Sequence, residues 1–244
     1  MNQPLTIGVF GRGRLGAAIA EAAGSNLAWV LGKGEHPPGP VDVAIEASHA
    51  DVVNTHLDWA LGHGADFLIG ATGWAIPDLA ERVGQRIGVV VAPNFSLTVA
   101  LYARLSLVLA RFAALDEERD PYLVEHHHAR KHDAPSGTAK HLAATLMKGC
   151  PRKTSWVLPA AGIPVGPHQL NVSSIRAGHT YSSHTVGVDS PGEILELHHA
   201  ARSARPYAEG ALQAAHWVRG RKGVFGMDQV AAELLDPLFL EVTP

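Results

Sequence analysis

Three glycines, Gly11, Gly13 and Gly16, stand in the pattern GxGxxG. A short apolar run over residues 6–10 precedes them and an alanine-rich segment over residues 14–23 follows. A strand that turns at once into a helix needs residues without side chains at the turn. The same pattern lets a pyrophosphate approach the backbone and meet N–H groups at the helix N-terminus. Glycines also occur in ordinary strand-to-helix turns, so the motif alone is weak. Its place directly after the first strand points to dinucleotide binding.

The rest of the first 95 residues extends the pattern. Apolar runs over residues 27–31, 41–46, 67–70 and 89–92 read as strands. Residues 50–62 read as a helix, a shorter helix falls between the last two strands, and His36 to Pro40 is too proline-rich for either. Alternating strands and helices predict a parallel sheet covered on both faces. After about residue 120 the texture changes. Strands are predicted over 121–128, 171–176, 184–189 and 193–198, the last two joined by a turn at Ser190, Pro191 and Gly192. Helices are predicted over 138–148, 207–218 and from Asp228 onward. The fold class is therefore α/β, with a Rossmann-type parallel-sheet domain and a mixed α+β domain. The expected limits are 1–97 plus 206–244 for the dinucleotide-binding domain and 98–205 for the second, with the C-terminal helix returning to the first.

Composition closes off several classes. A formal net charge of −3 offers no basic footprint for nucleic acid. Cys150 is the sole cysteine, so no intrachain disulfide forms, which suits a reducing compartment. The N-terminal residues lack the pattern of a signal peptide. The longest apolar stretch, 97–115, carries Arg104 and Arg111, and is expected as a buried amphipathic helix rather than a membrane span. A cytoplasmic protein is expected. The 15 histidines leave proton transfer, metal binding and pH sensing open.

Charge near the second strand bears on the cofactor. An acidic residue at that strand's end usually holds the ribose 2′-hydroxyl. Glu35 lies slightly late for this, in a glycine-rich loop, and Lys33 is better placed for a 2′-phosphate. Arg12 and Arg14 add positive charge within the glycine loop, although such cations can simply be solvated. The balance favours NADPH, or tolerance of both NADPH and NADH.

Residues 124–139, VEHHHARKHDAPSGTA, concentrate the chemistry. Three readings compete. His128 and His132 have the i, i+4 spacing of metal ligands on a helix, but Lys131 beside them would repel a cation. Alternatively, several of these histidines are surface or satisfied core residues, most plainly His126 and His132. In the third reading, His127 and Lys131, also i, i+4, project together from a helical turn, attract a carboxylate and supply a proton. The backbone of Ser136, Gly137 and Thr138 at a helix N-terminus receives a second carboxylate. Two anion holders around a proton donor suggest a small dicarboxylate. Beside a dinucleotide loop they suggest a reductase.

Residues 125–139 resemble the signature of the dihydrodipicolinate reductase family, in which a His-His pair and a Lys precede DAPSGTA. The resemblance continues along nearly the whole chain. It includes Arg14-Leu15-Gly16, Gly70-Ala71-Thr72-Gly73, Ala92-Pro93-Asn94-Phe95-Ser96, Ser174 to Gly178 with His184-Thr185-Val186, Gly192-Glu193, His199, and Tyr207-Ala208 with Gly210-Ala211. It implies NAD(P)H-dependent reduction of 4-hydroxy-tetrahydrodipicolinate to tetrahydrodipicolinate in the diaminopimelate route to lysine, by a homotetramer whose second domain binds substrate. His127 would be the general acid and Lys131 the second catalytic residue. His128, Gly137 and Thr138 would bind substrate carboxylates, with Ser136 nearby. Phe10, Gly11, Arg12, Gly13, Arg14 and Leu15 would contact the cofactor, as would Lys33, Gly70, Ala71, Thr72, Ala92, Pro93, Asn94 and Phe95. No resident metal, nucleic acid or membrane partner is expected.

The sequence departs from the family pattern at four places. Phe10 stands where the family's loop has its first glycine. Gly32-Lys33 replaces a Glu-Arg pair after the second strand. Ser182-Ser183 replaces Gly-Glu before the HTV histidine. The family arginine after His199 falls on Ala204, between Arg202 and Arg205. The histidine, lysine and PSGT core is intact. Two alternatives stand beside the main reading: a paralogous reductase of another cyclic imine dicarboxylate, and a non-catalytic protein that senses a nicotinamide or a metal.

Overall fold

The computed structural model describes residues 5–240. In chain order the elements begin with β1 (Ile7–Phe10), α1 (Arg14–Ala23), β2 (Leu27–Leu31), β3 (Val43–Glu46), α2 (Val53–His63), β4 (Asp66–Ile69), α3 (Leu79–Val83) and β5 (Gly88–Val91). Then come α4 (Leu97–Ala114), β6 (Asp120–His127), α5 (Gly137–Gly149), β7 (Ser155–Val157), β8 (Gln169–Arg176), β9 (Ser182–Ser190) and β10 (Glu193–Ala201). The chain ends with α6 (Arg205–Val218), β11 (Gly223–Gly226), α7 (Met227–Leu235) and α8 (Pro237–Leu240). These form two compact units. One takes the residues up to Leu97 and those from Ala204; the other spans Thr98–Ser203.

The first unit is a six-stranded parallel sheet in the order β11-β5-β4-β3-β1-β2. Every residue of β1, β3 and β4 is buried, as nearly all-apolar runs require of strands covered on both faces; Glu46 and Asp66 are the charged exceptions. One face carries α1, α6 and α7, which share a core with Ile7, Val9, Ile45, Leu68 and Val90. The other face buries Phe10, Ala44, Phe67, Ile69 and Val89 with Val53, Leu57 and Ala60 of α2. Because β2 and β3 lie on opposite sides of β1, the order of connection reverses there. A parallel sheet opens a cleft at the carboxyl ends of its strands at such a point. The sixth strand, β11, lies in a segment without predicted structure. Its four residues, Gly-Val-Phe-Gly, are too short and too glycine-flanked to give a periodic signal.

The second unit is a mixed five-stranded sheet in the order β10-β9-β6-β8-β7. The pairs β6·β8 and β7·β8 are parallel, and β6·β9 and β9·β10 antiparallel. Burial alternates strictly along β6. Leu123, Glu125 and His127 therefore share one face, and Leu123 meets Leu142, Ala143 and Leu146 of α5 in the core. The three-residue strand β7 also lies in a segment without predicted structure.

Burial of α4 is confined to one face, which narrows the expected buried helix. Tyr102, Leu109, Ala110 and Ala113 pack in the core, while Leu105, Val108 and Phe112 are exposed. By length and composition alone α4 could cross a membrane. The single proton of the buried Tyr102 hydroxyl is shared between the carbonyls of Leu197 and His184, and its oxygen accepts from the Val186 amide, tying this helix to the sheet.

Candidate active site

In the first unit, the glycine loop has a different steric reason for each glycine. Gly11 has φ +111, and a Cβ there would stand 2.6 Å from the Ala47 carbonyl oxygen. A Cβ on Gly16 would lie 1.9 Å from the carbonyl oxygen of Gly11. Both positions exclude any side chain. Gly13, the N-cap of the ten-residue α1, faces open space instead: nothing lies within 4 Å of a Cβ built there. Such a vacancy at a helix N-terminus fits a phosphate group.

A cavity of about 800 Å³ opens beside this loop, lined by Leu15, residues 47–51 and the Gly70-Ala71-Thr72 turn. It lies at the carboxyl ends of β3 and β4. Gly70 permits close packing, since a Cβ would come within 2.8 Å of the Phe95 ring. Trp74 Nε1 donates to the Ala71 carbonyl at 2.9 Å and fixes the turn. The donor set fits a dinucleotide: glycine amides, a helix N-terminus and an apolar wall.

The other cofactor candidates fall in distinct places. Arg14, Thr72 and Pro93 are exposed, and Leu15 is half-buried. Ala92 and Phe95 are buried in the core, while Asn94 Oδ1 accepts from Ser96 N and shapes the turn. Phe10 is core as well: its ring stacks on His56 at 3.8 Å, so only its backbone faces the glycine loop. His56 in turn bonds the buried Glu46, which also accepts from the Ser48 amide and hydroxyl. Sequence reasoning missed residues 47–51, although the rule that ligands sit at strand carboxyl ends could have directed attention there.

Glu35 reaches farther back than its sequence position suggested. A turn from Gly32 returns its carboxylate to the end of β2, where it accepts from the Gly32 amide at 3.0 Å and pairs with Arg12 at 2.8 Å. The Gly32 bond and the Arg12 charge hold the carboxyl below its ordinary range. Lys33 is exposed on the same turn.

In the second unit, β6 matches the strand expected over 121–128, and the structure corrects the helical turn invoked for the i, i+4 pairs. His127 is the last residue of β6, paired with Arg176 of β8, and residues 128–136 form a loop. Ala177 N donates to the His127 carbonyl, so that carbonyl serves the sheet and not a helix. The i, i+4 arguments for His127 with Lys131, and for His128 with His132, therefore fail as geometry. Lys131 instead pairs with Asp133 at 2.7 Å, and this ammonium holds the Asp133 carboxyl below its usual value. His128 is half-buried, while His132 and Gly137 are exposed.

The helix predicted after the PSGT turn is α5, and Ser136 is its N-cap: Oγ accepts from the Ala139 amide at 3.1 Å. Gly137 and Thr138 occupy the first turn of this thirteen-residue helix.

Behind these residues lies a buried polar cluster without a role in the sequence reading. The fully buried Glu125 carboxylate accepts from Ser136 N, Ser174 Oγ and Arg176 Nη2. His127 Nε2 faces it at 3.3 Å and His184 Nε2 at 3.8 Å. Burial would raise the Glu125 carboxyl, but His127, Ser136, Ser174 and Arg176 outweigh it and hold the group ionised. His184 is driven down to about 4, first by burial and then by the charge of His127. Glu125, His127 and His184 are close enough to share a metal ion, yet Arg176 already supplies the cation at Glu125, 2.7 Å away. The signal for this cluster was the period-2 alternation of β6, which puts Glu125 and His127 on one face.

Comparison with known proteins shows the family. Residues 33–95 match the family model described as dihydrodipicolinate reductase, N-terminus, and residues 98–231 the model for its C-terminus. The N-terminal match begins after the divergent glycine loop. The 4-hydroxy-tetrahydrodipicolinate reductase of Akkermansia muciniphila is 36% identical, across 89% of this chain and 94% of its own. That of Laribacter hongkongensis is 35% identical, across 78% and 72%. Among solved structures, the dipicolinate-bound dihydrodipicolinate reductase from Paenisporosarcina sp. TG-14 superposes with TM-score 0.74 at 19% identity, across 93% of this chain and 99% of that one.

Proposed function

The chain belongs to the dihydrodipicolinate reductase family, and from that membership we propose how its own residues carry out the reduction of 4-hydroxy-tetrahydrodipicolinate to tetrahydrodipicolinate. The observation that carries this reading is the joining of an acid–base histidine to an anion-binding helix N-terminus by one buried carboxylate, Glu125. A reduced nicotinamide, when bound, supplies hydride to the substrate ring. The protein supplies the rest. Gly11, Gly13 and Gly16 make room for the pyrophosphate at the start of α1, and the turns at Gly70–Thr72 and Ala92–Phe95 flank the reactive end. His127 is the general acid. Its Nδ1 is committed to the Tyr181 carbonyl at 3.2 Å, so Nε2 is the atom that carries the mobile proton. Lys131 is the second catalytic residue. His128 and the Ser136-Gly137-Thr138 turn hold the substrate carboxylates.

Both nicotinamide cofactors are accepted, with NADPH favoured. The Glu35 carboxylate returns to the end of β2, the position from which an acidic residue holds a ribose 2′-hydroxyl, while Arg12 and Lys33 offer cations to a 2′-phosphate. Arg202 or Arg205 takes the part of the family arginine that falls on Ala204. A homotetramer fits the exposed Ile175, Ile194 and Leu195 of the mixed sheet, and the lone Cys150 suits the reducing cytoplasm. The test is a coupled assay in which aspartate semialdehyde and pyruvate are condensed and NADPH or NADH oxidation is followed. Turnover with either cofactor is expected. No oxidation above background would overturn the assignment and favour a paralogous reductase.

A further inference from the structure

We propose that Glu125 is the positioning residue of this reaction, a carboxylate that acts through His127 and the α5 N-terminus without touching substrate. The proposal rests on the reading of His127 as the acid. Glu125 is 0% exposed and lies on the same face of β6 as His127, two residues along the strand. Its two oxygens receive the Ser136 amide at 3.0 and 3.2 Å. That amide belongs to the N-cap of α5. One carboxylate therefore fixes both the strand end that carries the acid and the turn that receives a substrate carboxylate. The loop between them, residues 128–135, has no regular structure of its own to hold that spacing. A displacement of about 1 Å between such groups is enough to cost about 10²-fold in rate.

The charge arrangement supports the same role. A buried carboxylate needs a resident cation, and Arg176 Nη2 provides it at 2.7 Å, joined by Ser174 Oγ at 2.7 Å. His127 Nε2 faces Glu125 at 3.3 Å but lacks the alignment of a hydrogen bond. With Arg176 in place, His127 can lose its Nε2 proton without leaving Glu125 as an uncompensated buried charge. Glu125 stays ionised throughout and orients the ring.

The test is a double-mutant cycle between Glu125→Gln and His127→Gln. Glutamine keeps the size of Glu125, but its amide nitrogen cannot accept from Ser136, Arg176 or His127. If Glu125 acts through His127, Glu125→Gln lowers kcat by about 10²-fold in the wild-type background. It then lowers kcat by less than about 3-fold in the His127→Gln background, since groups that act as a unit are non-additive. The affinity for NADPH alone is unchanged in both. An equal further loss in the His127→Gln background shows a general structural role and overturns the proposal. If His127→Gln alone retains wild-type kcat, the acid assignment itself falls and takes the proposal with it. Should Glu125→Gln fail to fold, Ser174→Ala, which removes a single donor, replaces it in the cycle: a several-fold fall in kcat that disappears in the His127→Gln background is expected, and an undiminished fall overturns the proposal.

Discussion

Arg12, the second residue of the glycine loop, is bound at 2.8 Å to Glu35, which a four-residue turn brings back to the end of β2. The pair therefore sets both charges at the end of β2, where the proposed cofactor would present its 2′ position. Both side chains are about half exposed, so their mutual attraction contributes little to stability and is available to be redistributed on binding. Removing the carboxylate with Glu35→Gln should raise kcat/KM for NADPH relative to NADH by about 10-fold. Steady-state kinetics with both cofactors check this. A ratio unchanged by the substitution would show that Glu35 does not face the 2′ position.

Gly13 and Gly16 should respond in opposite ways to the same substitution. Gly16→Ala pushes a methyl group against the Gly11 carbonyl, a backbone atom that cannot move alone. It should destabilise the protein by about 1–3 kcal/mol, the usual scale of overpacking. Gly13 has an extended backbone at φ −69 and open space around it, so Gly13→Ala should stay within about 0.5 kcal/mol of wild type in denaturant titrations. Cofactor affinity should nevertheless fall at least several-fold, because the methyl group enters the space a phosphate would use. Wild-type affinity in Gly13→Ala would place the pyrophosphate elsewhere.

Lys131→Ala and Thr138→Val should each weaken inhibition by pyridine-2,6-dicarboxylate, a planar dicarboxylate, by about 5- to 100-fold, corresponding to the about 1–3 kcal/mol of a hydrogen bond to a charged group. Lys131 reaches such an anion only by sharing itself with Asp133, its partner at 2.7 Å. Asp133→Asn should therefore tighten, or leave unchanged, the binding of the same compound. Inhibition constants measured at fixed NADPH give the result. Loss of inhibition in Asp133→Asn would show that the aspartate organises the loop and does not compete for the lysine.

The buried His184 predicts acid lability. Its folded value of about 4 lies below the ordinary 6.5, so between those values the unfolded chain binds more protons than the folded one. Stability is therefore full above pH 6.5 and falls as pH drops towards 4, by up to about 3 kcal/mol. The facing groups reinforce the direction: the charges of His127, His199 and Arg176 oppose protonation of His184, and only Glu125 favours it. Below that window, protonation of Glu125, whose carboxyl is held low, adds a second loss. The variant His184→Asn should lose distinctly less Tm than wild type between pH 6.5 and 4.5. Parallel Tm–pH curves for the two proteins would assign the acid sensitivity to other groups.

Much of this protein was already legible in the chain. The apolar runs of β1, β3 and β4 and the alanine-rich α1 fix the parallel sheet, because strands buried on both faces and a helix with a small-residue face have few other solutions. The three loop glycines announce the cleft, and Ser136 announces the start of α5, since turn and capping chemistry is local. The proposed acid–base pairing of His127 and Lys131 came from the residues, and the division of roles between them from likeness to a family. The helical spacing offered for them was wrong, because β6 continues through His127 in pairing with β8 and β9. The strand expected over 121–128 already runs through His127; its pairing is out of reach because the partner strands lie some fifty residues away. The same reason hid Arg176, Ser174 and His184, which meet Glu125 only once three strands are side by side. Glu35 lies slightly late in the chain, and only the turn back onto Gly32 brings its carboxylate to the end of β2. Local backbone chemistry was thus decided by the sequence. The tertiary structure decided which distant side chains share one buried charge, because the low-dielectric interior admits Glu125 only when strands β6 and β8 and the α5 N-cap together supply its partners.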